Sequence, residues 1–242
     1  MQEKFDGKRM LIRSESGNIT GINRKGLSIG LPESMLKSAR AIKKSFIIDG
    51  EAVGERLFAF DLLSLDGTDL RRRPYRERLE MLIHLIGSSR GKFETVETAQ
   101  SEAEKQDFLF SCLKIKNAEG VVFKRHDAPY TPGRPASGGS QLKFKFYASA
   151  SCIVAKVNQG KRSVALELVG DAGQGVSVGN VTIPPNSKVP QPGTMVEVRY
   201  LYAYPGGSLY QPLYLGIRDD IAAEACTTAQ LKYRAASEED EV

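Results

Sequence analysis

The sequence predicts two unlike halves. Residues 1–147 read as an α+β region, residues 148–225 as a small all-β barrel, and residues 226–242 as a polar, acidic tail. Three observations predict this. Before residue 148, short β-rich runs alternate with two helix-like stretches; after it, five strand-length runs follow one another with only turn residues between them. The third is composition: 242 residues with 41% hydrophobic and 26% charged residues are enough to bury ordinary globular cores.

The elements follow in order. Met10 to Arg13, Ser45 to Ile48 and Leu57 to Leu63 are rich in β-branched and large apolar residues and read as strands. Pro74 suits a first helical turn, and Leu79, Leu82, Ile83 and Ile86 recur at helical spacing, predicting a helix from Pro74 to Ile86. Ser101 with Glu104 three residues on is a capping-box pattern; it opens a helix to Ile115 with Phe108, Leu109, Cys112 and Leu113 on one side. Beyond residue 148 the strand candidates are Cys152 to Val157, Ser163 to Val169, Gly175 to Ile183, Thr194 to Tyr204 and Leu209 to Ile217. Turn residues beginning at Asn158, Gly170, Pro184 and Pro205 separate them, and five such strands suggest an OB-fold.

Charge is unevenly placed. Residues 1–147 hold 26 basic and 19 acidic residues, a balance of +7, whereas residues 148–242 hold 8 and 10, a balance of −2 that comes from Glu238 to Glu241. A basic first half suits a polyanionic partner, and equally a solvated basic face. No apolar run approaches the roughly 20 residues that cross a bilayer, and the opening residues are too charged for a signal peptide. The expectation is a cytoplasmic monomer with no membrane partner. Cys112, Cys152 and Cys226 are far apart with no CxxC spacing, and His84 and His126 lack ligand partners, so buried thiols are expected rather than a zinc site.

The chemistry begins at Glu3-Lys4-Phe5-Asp6-Gly7-Lys8-Arg9. Taken alone it also fits a charged surface turn. It matches a KxDGxR pattern, and here the chain resembles the nucleotidyltransferase superfamily of ATP-dependent DNA ligases, RNA ligases and mRNA capping enzymes. The resemblance implies that Lys4 is the nucleophile that attacks the nucleotide α-phosphate. A free lysine is protonated at neutral pH, so such a site must favour the neutral amine. Arg9 is placed to meet a phosphate as a bidentate donor, and Glu3 is assigned with it to the nucleotide.

Further strings follow in the order of that superfamily. Asn23-Arg24-Lys25-Gly26 is similar to its second arginine motif, with Asn23 a departure at the first position, and assigns Arg24 to the nucleotide. Ile48-Asp49-Gly50-Glu51 implies that Glu51 contacts the ribose or the metal shell. Phe58 to Leu63 resembles the segment whose aromatic stacks on adenine, pointing to Phe60, although strand alternation also fits Phe60 as plain core. Glu119 to Lys124 matches EGxVxK, implying a divalent cation on Glu119 and phosphate on Lys124. Leu142 to Lys145 resembles the KxK motif, and strand alternation puts Lys143 and Lys145 on one face. Ile217-Arg218-Asp219-Asp220 is similar to a C-terminal Arg-x-Asp motif that orients pyrophosphate, and also fits a charged turn. Lys156, Lys161, Arg162 and Lys188 suit a phosphodiester backbone or plain solvent. The Tyr130 to Gly139 stretch reads as a loop beside the site, where DNA contact is an expectation and its Gly, Pro and Ser content alone predicts a loop.

The resemblance, over residues 2 to 220, implies an α+β adenylation domain followed by an OB-fold. The implied enzyme is an ATP-dependent DNA ligase of the minimal two-domain type, sealing 5′-phosphate/3′-hydroxyl nicks in duplex DNA through lysyl-AMP and an adenylated DNA end. Its cofactors are ATP and Mg²⁺ or Mn²⁺, the metal held by Glu51 and Glu119. One departure is that only three residues precede Lys4, where the family has upstream elements that complete the adenine pocket. The alternatives are an RNA ligase, a GTP-using capping guanylyltransferase, and a non-catalytic nucleic-acid-binding module.

Overall fold

A computed structural model describes residues 1–87, 91–115, 118–133 and 139–234. The acidic run Glu238 to Glu241 and the centre of the Tyr130 to Gly139 loop lie outside the described residues. Two compact units divide the chain, Met1–Phe144 and Lys145–Val242.

The first unit is built on a large mixed sheet. Its strands are β2 (Lys8–Glu15), β3 (Asn18–Asn23), β4 (Ser28–Ile29), β5 (Phe46–Val53), β6 (Arg56–Leu65), β7 (Thr68–Asp69) and β8 (Phe93–Thr95), in the spatial order β4-β3-β2-β5-β6-β7 with β8 parallel to β6. Two helices, α1 (Glu33–Ala41) and α2 (Tyr75–Gly87), complete its core, in which Ile12, Phe46, Ile48, Leu57, Leu62 and Leu82 are almost fully buried. Alternation explains the strands: in β2, Met10, Ile12 and Ser14 are buried while Arg9, Leu11 and Arg13 are not. The α2 stripe is Tyr75, Arg78, Leu79, Leu82, Leu85 and Ile86; Ile83, expected inside, is 47% exposed.

The sequence did not predict α1. Its buried face is Met35, Ser38 and Ala39, so one large apolar residue is all that marks the helical period. The third helix, α3 (Glu102–Lys114), has the expected cap: Ser101 Oγ accepts from Glu104 N, and the Glu104 carboxylate accepts from Ser101 N. Of its expected apolar side only Cys112 is fully buried, and Leu113 faces solvent.

A second, smaller sheet in this unit joins β1 (Gln2–Glu3), β9 (Gly120–Lys124) and β10 (Gln141–Lys145) in the order β1-β9-β10. β1 is antiparallel to β9, with Gln2 opposite Val122 and Glu3 opposite Val121.

The second unit is an all-antiparallel sheet of β11 (Ala148–Val157), β12 (Ser163–Val169), β13 (Gly175–Thr182), β14 (Met195–Tyr200) and β15 (Leu213–Ile217), ordered β13-β12-β11-β14-β15. Register shifts in the β11–β12, β12–β13 and β14–β15 pairs curl it around Cys152, Val164, Leu166, Val178, Val196, Val198 and Tyr200. This is the OB-type arrangement; among the described residues β13 and β15 are not paired as strands, and Leu209 N, in the segment before β15, donates to Val178 O of β13 at 3.0 Å.

The expected polar tail does not start at 226. Cys226 and Leu231 belong to this core, and the Gln230 side chain accepts from Ser151 N at 3.0 Å. Hydrogen bonding together with the burial of two scattered apolar residues anchors this segment, and average hydropathy therefore misses it.

Candidate active site in the first unit

Lys4 follows β1 directly, and its backbone N donates to Gly120 O at 2.9 Å, so the β1–β9 pairing sets its position. The next turn depends on glycine: a Cβ at Gly7 would lie 2.3 Å from Ala52 O. β2 then places Arg9 opposite Glu51 of β5.

A cleft opens there, lined by Gln2, Glu3, Lys4, Phe5, Arg9, Glu51, Phe60, Val122, Lys124, Gln141 and Lys143. Lys4 Nζ forms an ion pair with Glu119 Oε2, and that carboxylate is buried. Arg9 is clamped by Asp49: Nε donates to Oδ1 at 2.8 Å and Nη2 to Oδ2 at 2.5 Å. Burial alone would lower the guanidinium's affinity for its proton, but the hydrogen bond and charge of Asp49 outweigh it and raise the pKa. Tyr130 OH donates to Asp49 Oδ2 at 3.2 Å, and burial followed by the Asp49 charge pushes this phenol up to about 12. Glu51 is raised above the ordinary carboxylate range, chiefly by burial against the opposing pull of Lys4 and Arg9, with Glu119 adding to the rise.

Phe60 sits where two cations meet. Lys124 Nζ is 4.3 Å and Arg9 Cζ 5.2 Å from its ring centroid. The placement comes from a bulge: Gly50 faces Ala59 and Asp49 faces Asp61, leaving Phe60 of β6 without a partner in the register. Phe58 instead stacks on Phe5, with centroids 3.9 Å apart. Lys124 Nζ also donates to Phe60 O at 3.2 Å and Tyr75 OH at 3.3 Å. Burial lowers its pKa to about 8, countered in part by Asp61 and Asp49. Lys143 is lowered as well, by burial first and then by the charge of Lys4.

Among the expected site residues, the structure brings Lys4, Arg9, Glu51, Phe60, Lys124 and Lys143 to one cleft, with Glu119 held on Lys4. Glu3 lines it too, although the charge it feels most is that of Glu97; burial and then Glu97 raise its pKa. Arg24 is exposed in the turn after β3, close enough for its charge to act on Lys143. Lys145 belongs to the second unit, where its Nζ donates to Gln211 Oε1 at 3.1 Å. Arg218, also there, donates to Asp220 at 2.5 and 2.7 Å, to Glu197 at 3.0 Å and to Ser151 Oγ at 3.2 Å.

Sequence reasoning missed Asp49, Gln2, Tyr75 and Tyr130. Asp49 was visible within Ile48 to Glu51; the missing step was the diagonal reach from Arg9 across the β2–β5 pair, two residues from its direct partner. Gln2 Nε2 donates to Tyr75 OH and Thr98 Oγ1, each at 2.8 Å, long-range contacts that no local pattern announces.

Two carboxylates near the cleft, Glu51 and Glu119, offer hard oxygen donors, and Glu119 adds to the raised pKa of Glu51. Among the described residues no group of three or more His, Cys, Asp or Glu is placed to cage a metal ion. That donor set fits Mg²⁺ held by one or two carboxylates together with substrate phosphates, rather than an all-protein cage.

The fold and this cleft define a class: an adenylation-type unit followed by an OB-type sheet. A family model described as ATP dependent DNA ligase domain matches residues 54–145. That match runs from just before β6 to the end of β10. The chain's relatives include the DNA ligase of Nanoarchaeum equitans, 30% identical over 60% of this chain and 27% of that protein. The multifunctional non-homologous end joining protein LigD of Mycolicibacterium smegmatis is 24% identical over 90% of this chain and 35% of its own length. The chain thus spans about a third of these two relatives. Among solved structures, a Lig E DNA ligase described as binding DNA with a minimal scaffold superposes with a TM-score of 0.66 and 21% identity, covering 90% of this chain and 91% of that one. The ligase domain of Mycobacterium tuberculosis LigD gives 0.54 and 22%, covering 95% and 90%. At these identities the likeness shows the fold.

Proposed function

We propose that the chain is an ATP-dependent DNA ligase that seals nicks through a lysyl-AMP intermediate. The observation that carries this reading is the Lys4 amine held against Glu119 in a cleft lined by Arg9, Glu51, Phe60, Lys124 and Lys143. Lys4 Nζ, once neutral, attacks the α-phosphorus of ATP; a P–N bond forms and pyrophosphate leaves. The AMP passes to the 5′-phosphate at a nick, freeing Lys4. The 3′-hydroxyl then attacks that phosphate and AMP departs.

The residues divide the work. Phe60 offers an aromatic face to adenine, and Glu51 reaches the ribose. Arg9, fixed by Asp49, keeps Nη1 free of the clamp for ligand oxygens. Lys124 and Lys143 surround the transferring phosphoryl group with positive charge. A divalent ion bound by Glu51 and Glu119 would neutralise phosphate charge. Arg218 orients the leaving pyrophosphate in this reading and must first exchange its partners Asp220 and Glu197.

The test is incubation with α-labelled ATP and Mg²⁺ followed by denaturing electrophoresis, wild type beside Lys4→Ala. Label on the wild type alone is expected. Label on both would remove Lys4 as nucleophile, and label on neither would overturn ATP chemistry. Nicked duplex DNA beside its RNA counterpart then separates DNA from RNA ligase.

A further inference from the structure

The cleft lies between two sheets, and one buried phenol joins them. Gln2, Val122, Lys124 and Lys143 reach the cleft from β1, β9 and β10, and Arg9, Glu51 and Phe60 reach it from β2, β5 and β6. Tyr75, the first residue of α2, is 3% exposed. Its hydroxyl donates to Phe60 O at 3.0 Å and accepts from Gln2 Nε2 at 2.8 Å and from Lys124 Nζ at 3.3 Å. A tyrosine hydroxyl has one proton to give and two lone pairs to receive with, so these three contacts fill it, and each comes from a different strand. Burial, with the Asp61 charge adding to it, holds the phenol above the ordinary tyrosine range, and it keeps the proton that it gives to Phe60.

The consequence falls on Lys124. An ammonium carries three N–H groups at the end of a flexible four-carbon stem. Two of them are fixed here, on Tyr75 OH and on Phe60 O at 3.2 Å, and the rings of Phe60 and Tyr75 stand with their centroids 4.3 and 4.6 Å from Nζ. Two fixed bonds on a tetrahedral nitrogen set the direction of the third. None of the three partners depends on the hydroxyl alone: Gln2 Nε2 also donates to Thr98 Oγ1 at 2.8 Å, and Phe60 O and Lys124 Nζ keep each other. The hydroxyl therefore orients more than it stabilises.

We propose that Tyr75 is a positioning residue for the adenylation step, aiming the Lys124 ammonium at the α-phosphate of ATP. The proposal rests on the ligase reading and deepens it. As Lys4 Nζ forms the P–N bond and the bond to pyrophosphate breaks, negative charge is redistributed over the phosphoryl oxygens and the leaving oxygen. A cation already in place stabilises that charge without reorganisation. With the hydroxyl gone, Lys124 has one tether instead of two. The cost then falls on the chemical step, while Phe60, Arg9 and Glu51 still hold the nucleotide.

The experiment follows single-turnover label transfer from α-labelled ATP to the full chain with Mg²⁺, over a range of ATP concentrations. It compares wild type, Tyr75→Phe, Lys124→Met and the double variant. Tyr75→Phe keeps the ring and removes the hydroxyl. Its maximal rate is expected to fall roughly 10- to 100-fold, the range of a hydrogen bond to a charged group, with half-saturating ATP changed by less than about twofold. Its melting temperature should stay within about 4 °C of wild type. In the Lys124→Met background the same change should slow labelling by less than about twofold, because the group it positions is gone. An unchanged rate in Tyr75→Phe would overturn the proposal and leave the ligase reading intact. Full additivity of the two substitutions would also overturn it, since Tyr75 would then act independently of Lys124. A melting temperature lower by more than about 10 °C in Tyr75→Phe would make the residue structural. No label on any of the four proteins, wild type included, would remove the ligase reading and this proposal with it.

Discussion

Two arginines, one in each unit, are held in opposite ways. In the first, Arg78 is 2% exposed and gives Nε and Nη2 to Asp61 at 2.7 and 2.9 Å, with Nη1 on the backbone carbonyls of Arg73 and Ala128. In the second, Arg199 has its Cζ 4.5 Å from the Tyr147 ring centroid, and its buried Nε has no hydrogen-bond partner among the described residues. The cleft follows the first pattern: Lys4 rests on Glu119 and Arg9 on Asp49. A ligand entering the cleft therefore competes with partners inside the protein, and that internal pairing holds geometry ready for chemistry.

The largest way to break the contrast is Asp61→Ala, which strands the Arg78 charge in the core and should destabilise the protein by about 3–5 kcal/mol in denaturant unfolding. Replacing both Asp61 and Arg78 with apolar residues should recover much of that loss; no recovery would show that the pair does more than compensate itself. In the second unit, stability comes from apolar packing, so Leu166→Ala, a fully buried position, should cost about 2–5 kcal/mol. A smaller effect sharpens the account of the cleft. Lys124 releases its proton at about 8 in the folded protein. Between that pH and the ordinary lysine value near ~10.4, the unfolded chain keeps a proton that the folded one has lost. Stability of the wild type relative to Lys124→Met should therefore rise with pH across that window, by at most about 1.4 kcal/mol per pH unit, and the difference should be flat below pH ~7. Smallest is the α3 cap: Ser101→Ala should cost about 1 kcal/mol and leave the cleft unaltered.

Local signals were legible where short-range chemistry decides. Ser101 with Glu104 announced a cap, Pro74 a helix start, and the motif residues from Lys4 to Lys143 a common cleft. The signals failed where distant partners decide. Helix α1 buries a serine and an alanine, so hydropathy is nearly silent there. Ile83 and Leu113 carry the right letters but lie off the stripes that face the core. The barrel was expected from strand count, and strand count does not encode whether the edge strands β13 and β15 pair. Asp49 and Tyr130 depend on side chains reaching across 40 and 81 residues of sequence.

β6 spends ten residues beside the eight of β5, and Phe60 is one of those left unmatched. The strand carries two register shifts, which changes what a shortened copy of it would inherit. Deleting the one residue between Ala59 and Asp61 would keep nearly every letter, and any alignment would score it as a trivial gap. Yet the residue lost would be Phe60, and the bulge that sets its ring at the cleft would close while both flanking pairs stayed in register. In this strand length is itself information, and a comparison that counts only identities would overlook the one change that matters.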